Sequence, residues 1–163
     1  MTSPQAQMQI TLTVNGTVYT KTVPVRLNLT DFLRDTLFLT GTHVGCEQGV
    51  CGSCTVLMDG VSVRSCLIFA VQCHGAVIQT VEGVGTAEGM HPVQQGLWEC
   101  HGVQCGYCTP GMVMAGVELL DANPNPTREQ ATEAIAGNLC RCTGYQQIVD
   151  GLMCAAEIKR GQS

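Results

Sequence analysis

Charged residues are scarce in this chain: Asp, Glu, Lys and Arg make up 13% of its 163 residues, against 45% for hydrophobic residues. So small a charged fraction leaves too little polar surface for a small monomer, which indicates that part of the surface is buried against partner subunits. No run of Lys or Arg occurs, and the net charge is −5. These features argue against binding to nucleic acid or to an anionic membrane surface.

Apolar runs long enough to cross a bilayer are missing as well. The polar stretch at residues 1–9 has neither the apolar core of a secretory signal nor a twin-Arg pair. We therefore expect a cytoplasmic protein. The sequence also lacks a Gly-x-Ser-x-Gly elbow, a P-loop and a dinucleotide fingerprint, so we expect no substrate chemistry on this chain itself.

Cysteine, by contrast, is abundant, with eleven residues. Because the cytoplasm keeps thiols reduced, metal binding explains them better than a disulfide scaffold. Cys46, Cys51 and Cys54 follow the spacing C-x4-C-x2-C, and Cys66 lies further on. We call these four the N-terminal quartet. Their spacing is that of the [2Fe–2S] cluster in plant-type ferredoxins.

The glycines among the first three cysteines favour a cluster too. Gly45, Gly49 and Gly52 suit a loop that bends tightly around an inorganic core, because without side chains the backbone N–H groups can reach its sulfur atoms. The alternative is a zinc site or a set of buried thiols, although zinc usually takes two close pairs of ligands.

A second set of cysteines, the C-terminal quartet, comprises the C-x2-C pair Cys105 and Cys108 and the C-x-C pair Cys140 and Cys142. Each pair adjoins a predicted helix end, so two facing helix–loop junctions would bring four sulfur atoms around one centre. A lone C-x2-C pair also fits zinc or a redox dithiol. The C-x-C pair is too cramped for the usual zinc ribbon, and a second [2Fe–2S] cluster is our interpretation.

Three cysteines remain outside the quartets. Cys73 follows the apolar segment Leu67–Val71, Cys154 lies within the apolar run of the last helix, and both are interpreted as core thiols. Cys100 is ambiguous, since its nearness to Cys105 makes it the best candidate for a ligand that we have misassigned. The histidines have no ligand role in this interpretation and are expected in solvated or packing positions: His43, His74, His91 and His101.

The first half of the chain is rich in predicted strands. Alternation over Met8–Val14, the turn dipeptide Asn15-Gly16 and a return over Thr17–Val23 predict a hairpin. Apolar residues at helical spacing predict a short helix over Leu29–Leu37. Further strands are predicted at Thr55–Met58, Val61–Arg64 and Val77–Val81. A β-grasp-like module follows from this order.

The second half is predicted to be a small bundle of helices. They lie over Val93–Glu99, from Thr109 as N-cap with Pro110 at the first position to Leu120, from Thr127 in a capping box to about Ala136, and around Ile148–Ala156. Glycines within Glu82–Gly89 indicate a linker. We therefore divide the chain into a ferredoxin-like domain at 1–84 and a helical domain at 85–163.

Three segments carry a family resemblance: Gly45–Val56, Gln104–Met112 and Gly137–Tyr145. They resemble the iron–sulfur subunit of the molybdenum hydroxylases, the family of xanthine oxidase and aldehyde oxidase, and the similarity extends over roughly residues 8–158. The resemblance implies an α+β fold, with a plant-ferredoxin-like β-grasp domain followed by a four-helix bundle, each holding one [2Fe–2S] cluster.

The resemblance also implies partners and a direction for the electrons. A large subunit would carry molybdopterin, as the cytosine dinucleotide, and a medium subunit would carry FAD, in a dimer of heterotrimers. Electrons would pass from molybdenum to the C-terminal quartet, next to the N-terminal quartet, and then to FAD. Gln104 would contact the pterin, with Cys142 nearest to it. The chain would thus be the iron–sulfur subunit of a heteromeric oxidoreductase.

The substrate pocket would lie on another chain. Within the family, the loop Glu47–Val50 looks more like that of the hydroxylases of nitrogen heterocycles, which use water as the oxygen source, than that of carbon monoxide dehydrogenase, the alternative. A free-standing ferredoxin-type carrier is disfavoured by the second quartet and by the low surface charge. A zinc-stabilised interaction protein is the third hypothesis.

Overall fold

The structure, a computed structural model, describes residues 6–161. The polar N-terminal stretch at residues 1–9 therefore lies partly outside the described residues. The strands are β1 (Gln7–Val14), β2 (Thr17–Pro24), β3 (Thr55–Met58), β4 (Val61–Arg64) and β5 (Val77–Gln79). The helices are α1 (Leu29–Asp31), continued by a π-helical turn at Phe32–Thr36, then α2 (Pro92–Glu99), α3 (Thr109–Ala122), α4 (Arg128–Ala134) and α5 (Gln146–Gly161). Turns of 3-10 helix cover Ser65–Leu67, Ala70–Cys73 and Val81–Gly83.

The predicted hairpin forms at β1 and β2. Asn15 and Gly16 both have positive φ, 49° and 78°, as a type I′ turn requires. Val14 pairs with Thr17 directly across the turn. The predicted helix that follows is also present, but most of it is the π-helical turn.

The five strands form one mixed sheet in the order β2-β1-β5-β3-β4. β1 runs parallel to β5, and β3 runs antiparallel to both β4 and β5. Since β4 returns alongside β3, the residue that precedes β3, Cys54, lies next to the turn that follows β4. This return brings distant cysteines together. With the four helices α2–α5 after the sheet, the predicted α+β fold is confirmed.

Strand β3 contributes to two hydrophobic cores. Successive side chains of a strand point to opposite faces, so Val56 packs in the core of the N-terminal half with Ile10, Phe32 and Ile78. Leu57 packs instead among the helices, and residues of α3 lie close to β3. The sheet therefore lies directly against the helical half.

The helix starts agree with the sequence in one case and differ in another. Thr127 and Gln130 form the predicted capping box, because each side chain accepts a hydrogen bond from the other's backbone N–H. The predicted N-cap at Thr109 is wrong by one residue: Thr109 is already helical, and Cys108 occupies the cap position without a side-chain cap bond. The backbone at Cys108 turns into the helix directly from the C-x2-C loop.

Helices α2 and α5 cross at two glycines. A Cβ atom on Gly96 would overlap the carbonyl oxygen of Gly151, so no other residue allows this approach. His91 caps the start of α2, where its Nδ1 accepts a hydrogen bond from the Val93 N–H at 3.2 Å. The C-terminal end of α2 then leads into the loop of Cys105 and Cys108.

The glycine-containing stretch at Glu82–Gly89 is ordered. Val84 is buried in the helical core, and Thr86 forms a bridge with Gly89. A domain division between residues 84 and 85 stays a prediction. Among the helices of residues 6–161, none has both the length and the apolar character needed to cross a membrane.

Candidate metal centres

The thiols of the N-terminal quartet come from two places in the fold. Cys46, Cys51 and Cys54 lie on the loop before β3, and Cys66 lies in the 3-10 turn after β4. The Cys54 carbonyl accepts hydrogen bonds from the Ser65 N–H at 3.3 Å and the Ser65 hydroxyl at 2.7 Å. These bonds hold the two places together, and the Cys66 thiol touches that of Cys54.

The thiols of this quartet differ in how readily they ionise. The Gln48 and Cys51 N–H groups donate to Cys46 Sγ at 3.5 and 3.4 Å, and these bonds lower the pKa of Cys46 to about 7. Burial and the adjacent Cys54 thiol raise the pKa of Cys66 to about 11. Thiols crowded in this way do not all ionise unless a cation neutralises them, as a bound metal does.

Two glycines leave the space that the loop needs. A Cβ atom on Gly45 would lie 2.9 Å from Cys51 Sγ. Gly49 has φ +80°, and a Cβ there would overlap the Leu67 side chain. The loop therefore keeps its backbone close to the sulfur atoms, so donor set and loop shape fit a [2Fe–2S] cluster.

The C-terminal quartet lies at helix ends, as predicted. Cys105 and Cys108 precede α3, while Cys140 and Cys142 lie between α4 and α5. The Cys108 thiol touches Cys140, and Cys105 touches Cys142. A cleft of about 140 Å³ is lined by all four cysteines together with Tyr107, Leu139 and Arg141.

Side-chain hydroxyls support this second quartet. The Thr143 hydroxyl donates to Cys140 Sγ at 3.1 Å, and the Cys140 N–H donates to the Tyr145 hydroxyl at 2.9 Å. Burial of Cys140 opposes its ionisation, but hydrogen bonds from Thr143, Cys142 and Cys108 together outweigh it, and the pKa of Cys140 is lowered. Burial and the neighbouring Cys140 raise the pKa of Cys108 to about 12. The donor set fits a second cluster of the same kind.

The C-terminal quartet opens to the surface at the residues that the resemblance associates with the pterin. Cys105 and Cys142 are exposed, as is Gln104. Gln104 lines a cavity of about 420 Å³ with Trp98, a residue that is 72% exposed. An apolar surface thus adjoins this quartet.

The two quartets are directly linked. The Leu139 N–H, beside Cys140, donates to the Cys51 carbonyl at 2.8 Å. Tyr107 makes a second link: its carbonyl accepts from His43 Nδ1 at 2.8 Å, its hydroxyl donates to the Val44 carbonyl, and the Tyr107 and His43 rings are 4.9 Å apart. No sequence pattern predicts this role for Tyr107, because its partners are distant in the chain.

Of the remaining cysteines, one agrees with our expectation and one does not. Cys73 is fully buried, as predicted. Cys154 is not a core thiol: it is partly exposed, and its Sγ donates to Glu99 at 3.5 Å. The prediction failed because α5 turns this position away from the apolar side that holds Leu152. Cys100 lies beside Cys154.

Three of the four histidines have structural contacts, and the fourth, His101, is exposed. His91 caps α2, His43 binds Tyr107, and the Thr11 N–H donates to His74 Nδ1 at 3.0 Å. Over residues 6–161, no three His, Cys, Asp or Glu side chains surround a point suited to a single metal ion.

Fold and thiols together define a protein with two 2Fe–2S binding domains. The description "2Fe-2S iron-sulfur cluster binding domain" matches residues 12–77, and "[2Fe-2S] binding domain" matches residues 80–153. The chain belongs to the iron–sulfur small subunits of the molybdenum hydroxylase family. Its relatives are subunits of oxidoreductase complexes, and the predicted electron-transfer role is confirmed at that level.

The relatives include proteins that are named for nitrogen heterocycles. The nicotine 6-hydroxylase small subunit of Paenarthrobacter nicotinovorans is 49% identical over 151 residues, covering 93% of this chain and 91% of that one. Caffeine dehydrogenase subunit gamma of Pseudomonas sp. (strain CBB1) is 49% identical over 146 residues, covering 88% and 87%.

A solved structure of quinoline 2-oxidoreductase from Pseudomonas putida 86 superposes with a TM-score of 0.90 at 46% identity, over 96% of this chain and 99% of that one. Aldehyde oxidoreductase from Desulfovibrio gigas superposes equally well, with a TM-score of 0.90 at 43% identity, but this chain covers only 18% of it. The same two-domain unit therefore occurs both as a separate subunit and within a longer chain.

Proposed function

We propose that this chain relays electrons from a molybdopterin site to FAD through two [2Fe–2S] clusters. Cys46, Cys51, Cys54 and Cys66 would hold one cluster, and Cys105, Cys108, Cys140 and Cys142 the other. When bound, each cluster takes up and releases one electron at a time. Molybdopterin on one partner subunit would supply the substrate chemistry, and FAD on the other would accept the electrons. The observation that carries the proposal is the hydrogen bond between Leu139 and Cys51, which joins the two cysteine-bearing segments.

The exposed side of the C-terminal quartet would face the molybdopterin subunit. Gln104 would donate to or accept from the pterin, and Cys142 would lie nearest to it. Support comes from the exposure of Cys105, Cys142 and Gln104 and from the apolar surface at Trp98, which suits burial against a protein. The N-terminal quartet would then face FAD on a medium subunit.

The complete enzyme would hydroxylate a nitrogen heterocycle with oxygen from water. Three relatives with names of this kind, for nicotine, caffeine and quinoline, support this substrate class. We further propose a cytoplasmic dimer of heterotrimers with molybdopterin as the cytosine dinucleotide.

A cysteine substitution tests the relay. In the purified complex, Cys108→Ser should abolish flavin reduction by substrate while the cluster of the N-terminal quartet still assembles. Electron paramagnetic resonance at low temperature distinguishes the two clusters. If both cluster signals survive in Cys108→Ser, the ligand assignment is wrong.

A second experiment tests the substrate class. Under anaerobic conditions, nicotine, quinoline, caffeine or carbon monoxide is added to the complex, and bleaching of the flavin and cluster absorbance is followed. Reduction by a heterocycle but not by carbon monoxide is expected. Reduction by carbon monoxide alone would refute the proposed substrate class and leave the proposed electron relay intact.

A further inference from the structure

Asn138 lies where the segments that carry Cys51, Cys108 and Cys140 meet. It is two residues before Cys140, at the end of the turn that follows α4, and only 2% of it is exposed. A buried amide has to satisfy its hydrogen-bonding groups within the protein. Each partner of the Asn138 side chain belongs to the other half of the chain.

The amide nitrogen of Asn138 binds the loop of the N-terminal quartet. Its Nδ2 donates to the carbonyl of Gly52, between Cys51 and Cys54, at 3.0 Å. It also lies 3.2 Å from the hydroxyl of Thr55, which itself donates to the Gly52 carbonyl at 2.6 Å. One side chain from the C-terminal half therefore fixes the backbone between two cysteines of the other quartet.

The amide oxygen of Asn138 is held by Arg64. Arg64 donates from Nη2 to the Gly137 carbonyl at 2.7 Å and to Asn138 Oδ1 at 3.4 Å, and from Nη1 to the Thr55 hydroxyl at 2.7 Å. A flipped amide would point Nδ2 at this cation and Oδ1 at the Gly52 carbonyl. The contacts thus permit one orientation only.

Helix α3 packs against the remaining side of the Asn138 side chain. A Cβ atom on Gly111, three residues after Cys108, would lie 2.7 Å from Asn138 Nδ2 and would overlap the Gly52 carbonyl. A Cβ on Gly52 would lie 2.8 Å from the Asn138 Cα. The segment that carries Cys51 therefore lies in close backbone contact with the segments that carry Cys108 and Cys140.

We propose that Asn138 is a positioning residue that fixes the distance and orientation of the two quartets and so sets the rate at which electrons cross between them. This inference rests on the proposed relay. Residues that support metal ligands from outside commonly change activity by about 10–100-fold when they are replaced. Here the supported property is the placement of one cluster against the other.

Two substitutions in the purified complex test this role. Asn138→Asp keeps the shape and the partner of Arg64 but replaces the donor to Gly52 by a carboxylate oxygen. Asn138→Ala removes the amide. The matched control is Asn123→Asp at the far end of α3, where Asn123 Nδ2 bonds Gln130 at 3.1 Å and no quartet segment is involved.

The measurements are the iron and sulfide content, the midpoint potential of each cluster, the magnetic splitting between the two reduced clusters, and the rate of electron exchange between them. We expect both Asn138 variants to keep full iron content, to change the splitting and to slow the exchange by about tenfold. Asn123→Asp should match the wild type in all four.

An unchanged splitting and exchange rate in both Asn138 variants, with only a lower melting temperature, would show that Asn138 is merely structural. If neither variant assembles its clusters, Arg64→Lys is measured instead, because a single ammonium group cannot bind both Gly137 and Thr55. A changed magnetic splitting in Arg64→Lys would support the positioning role of Asn138, and an unchanged splitting would refute it. A wild-type complex without two cluster signals would instead refute the proposed relay.

Discussion

The two cysteine quartets are built from different kinds of chain segment. The N-terminal quartet is wrapped by a loop whose backbone N–H groups bind sulfur and whose glycines allow the wrapping. The C-terminal quartet sits between helix ends and depends on the hydroxyls of Thr143 and Tyr145. Three of the four thiols of the N-terminal quartet are therefore encoded on one loop, while the C-terminal quartet requires that separate helices pack first.

Exposure separates the quartets most strongly. Cys54 is buried directly before β3, whereas Cys142 is exposed. Cys54→Ser and Cys142→Ser should each lose half of the iron. Cys54→Ser should lower the free energy of unfolding by about 1–3 kcal/mol more than Cys142→Ser does, because the buried serine hydroxyl loses its hydrogen bonds to water. Iron analysis and urea unfolding measure both effects.

Cys46→Ser is the control for that comparison, since it removes the same cluster from a partly exposed position. Its stability should lie closer to that of Cys142→Ser. If Cys54→Ser and Cys46→Ser prove equally stable, burial is not what distinguishes them.

The glycine within each C-x2-C pair gives a sharper comparison. Gly52 and Gly106 both have positive φ, 75° and 83°, so Ala strains either backbone by about 1–2 kcal/mol. A Cβ on Gly106 meets nothing within 4 Å, but one on Gly52 would lie 2.5 Å from the Gly137 carbonyl. Gly52→Ala should therefore lose about 1–3 kcal/mol more in urea unfolding. If Gly52→Ala and Gly106→Ala lost the same free energy of unfolding, the N-terminal and C-terminal halves could move apart at Gly52 and Gly137 at little cost.

Much of this arrangement is visible in the sequence, but only where it is local. The Asn15-Gly16 turn, the capping box at Thr127 and the spacing of the cysteines each depend on neighbours a few residues apart. The roles of Asn138 and Tyr107 depend on partners more than sixty residues away. No periodicity or spacing predicts such pairs.

The two errors have a similar origin. Cys154 follows apolar residues in sequence, but the rotation of α5 was set by packing on α2 and turned its thiol toward Glu99. The cap of α3 shifted by one residue because the C-x2-C loop closes directly into the helix. Both depend on tertiary structure rather than on composition.

Two tyrosines distinguish contacts between the quartets from contacts within one. Tyr107→Phe removes the hydroxyl bond to Val44, and Tyr145→Phe removes the acceptor of the Cys140 N–H. Each should lower the free energy of unfolding by about 0.5–1.5 kcal/mol. Only Tyr145→Phe should shift the potential of the C-terminal cluster, as redox titration would measure. A shift of similar size in Tyr107→Phe would contradict this division.

The smallest expected effect is a pH dependence of stability that arises in the helical half only. Burial, and secondarily Lys159, lowers the pKa of His91, whose neutral Nδ1 accepts the Val93 N–H. Because the folded pKa lies below the unfolded value of about 6.5, the stabilisation is present above that pH and is lost as the pH falls through the folded pKa.

His91→Asn keeps a capping acceptor that does not titrate. Between about pH 7.5 and pH 5.5, urea unfolding of the wild type should therefore lose more stability than unfolding of His91→Asn. Parallel pH profiles for the two proteins would show that the imidazole is not responsible.

Strand β3 gives the molecule a property that its two cysteine sites alone would not require. Val56 belongs to one hydrophobic core and Leu57 to the other, so neither core can melt without uncovering the neighbouring residue of the same four-residue strand. The chain should consequently unfold in a single cooperative transition. If the two quartets hold redox centres as proposed, this coupling would prevent one half from opening while the other stays closed.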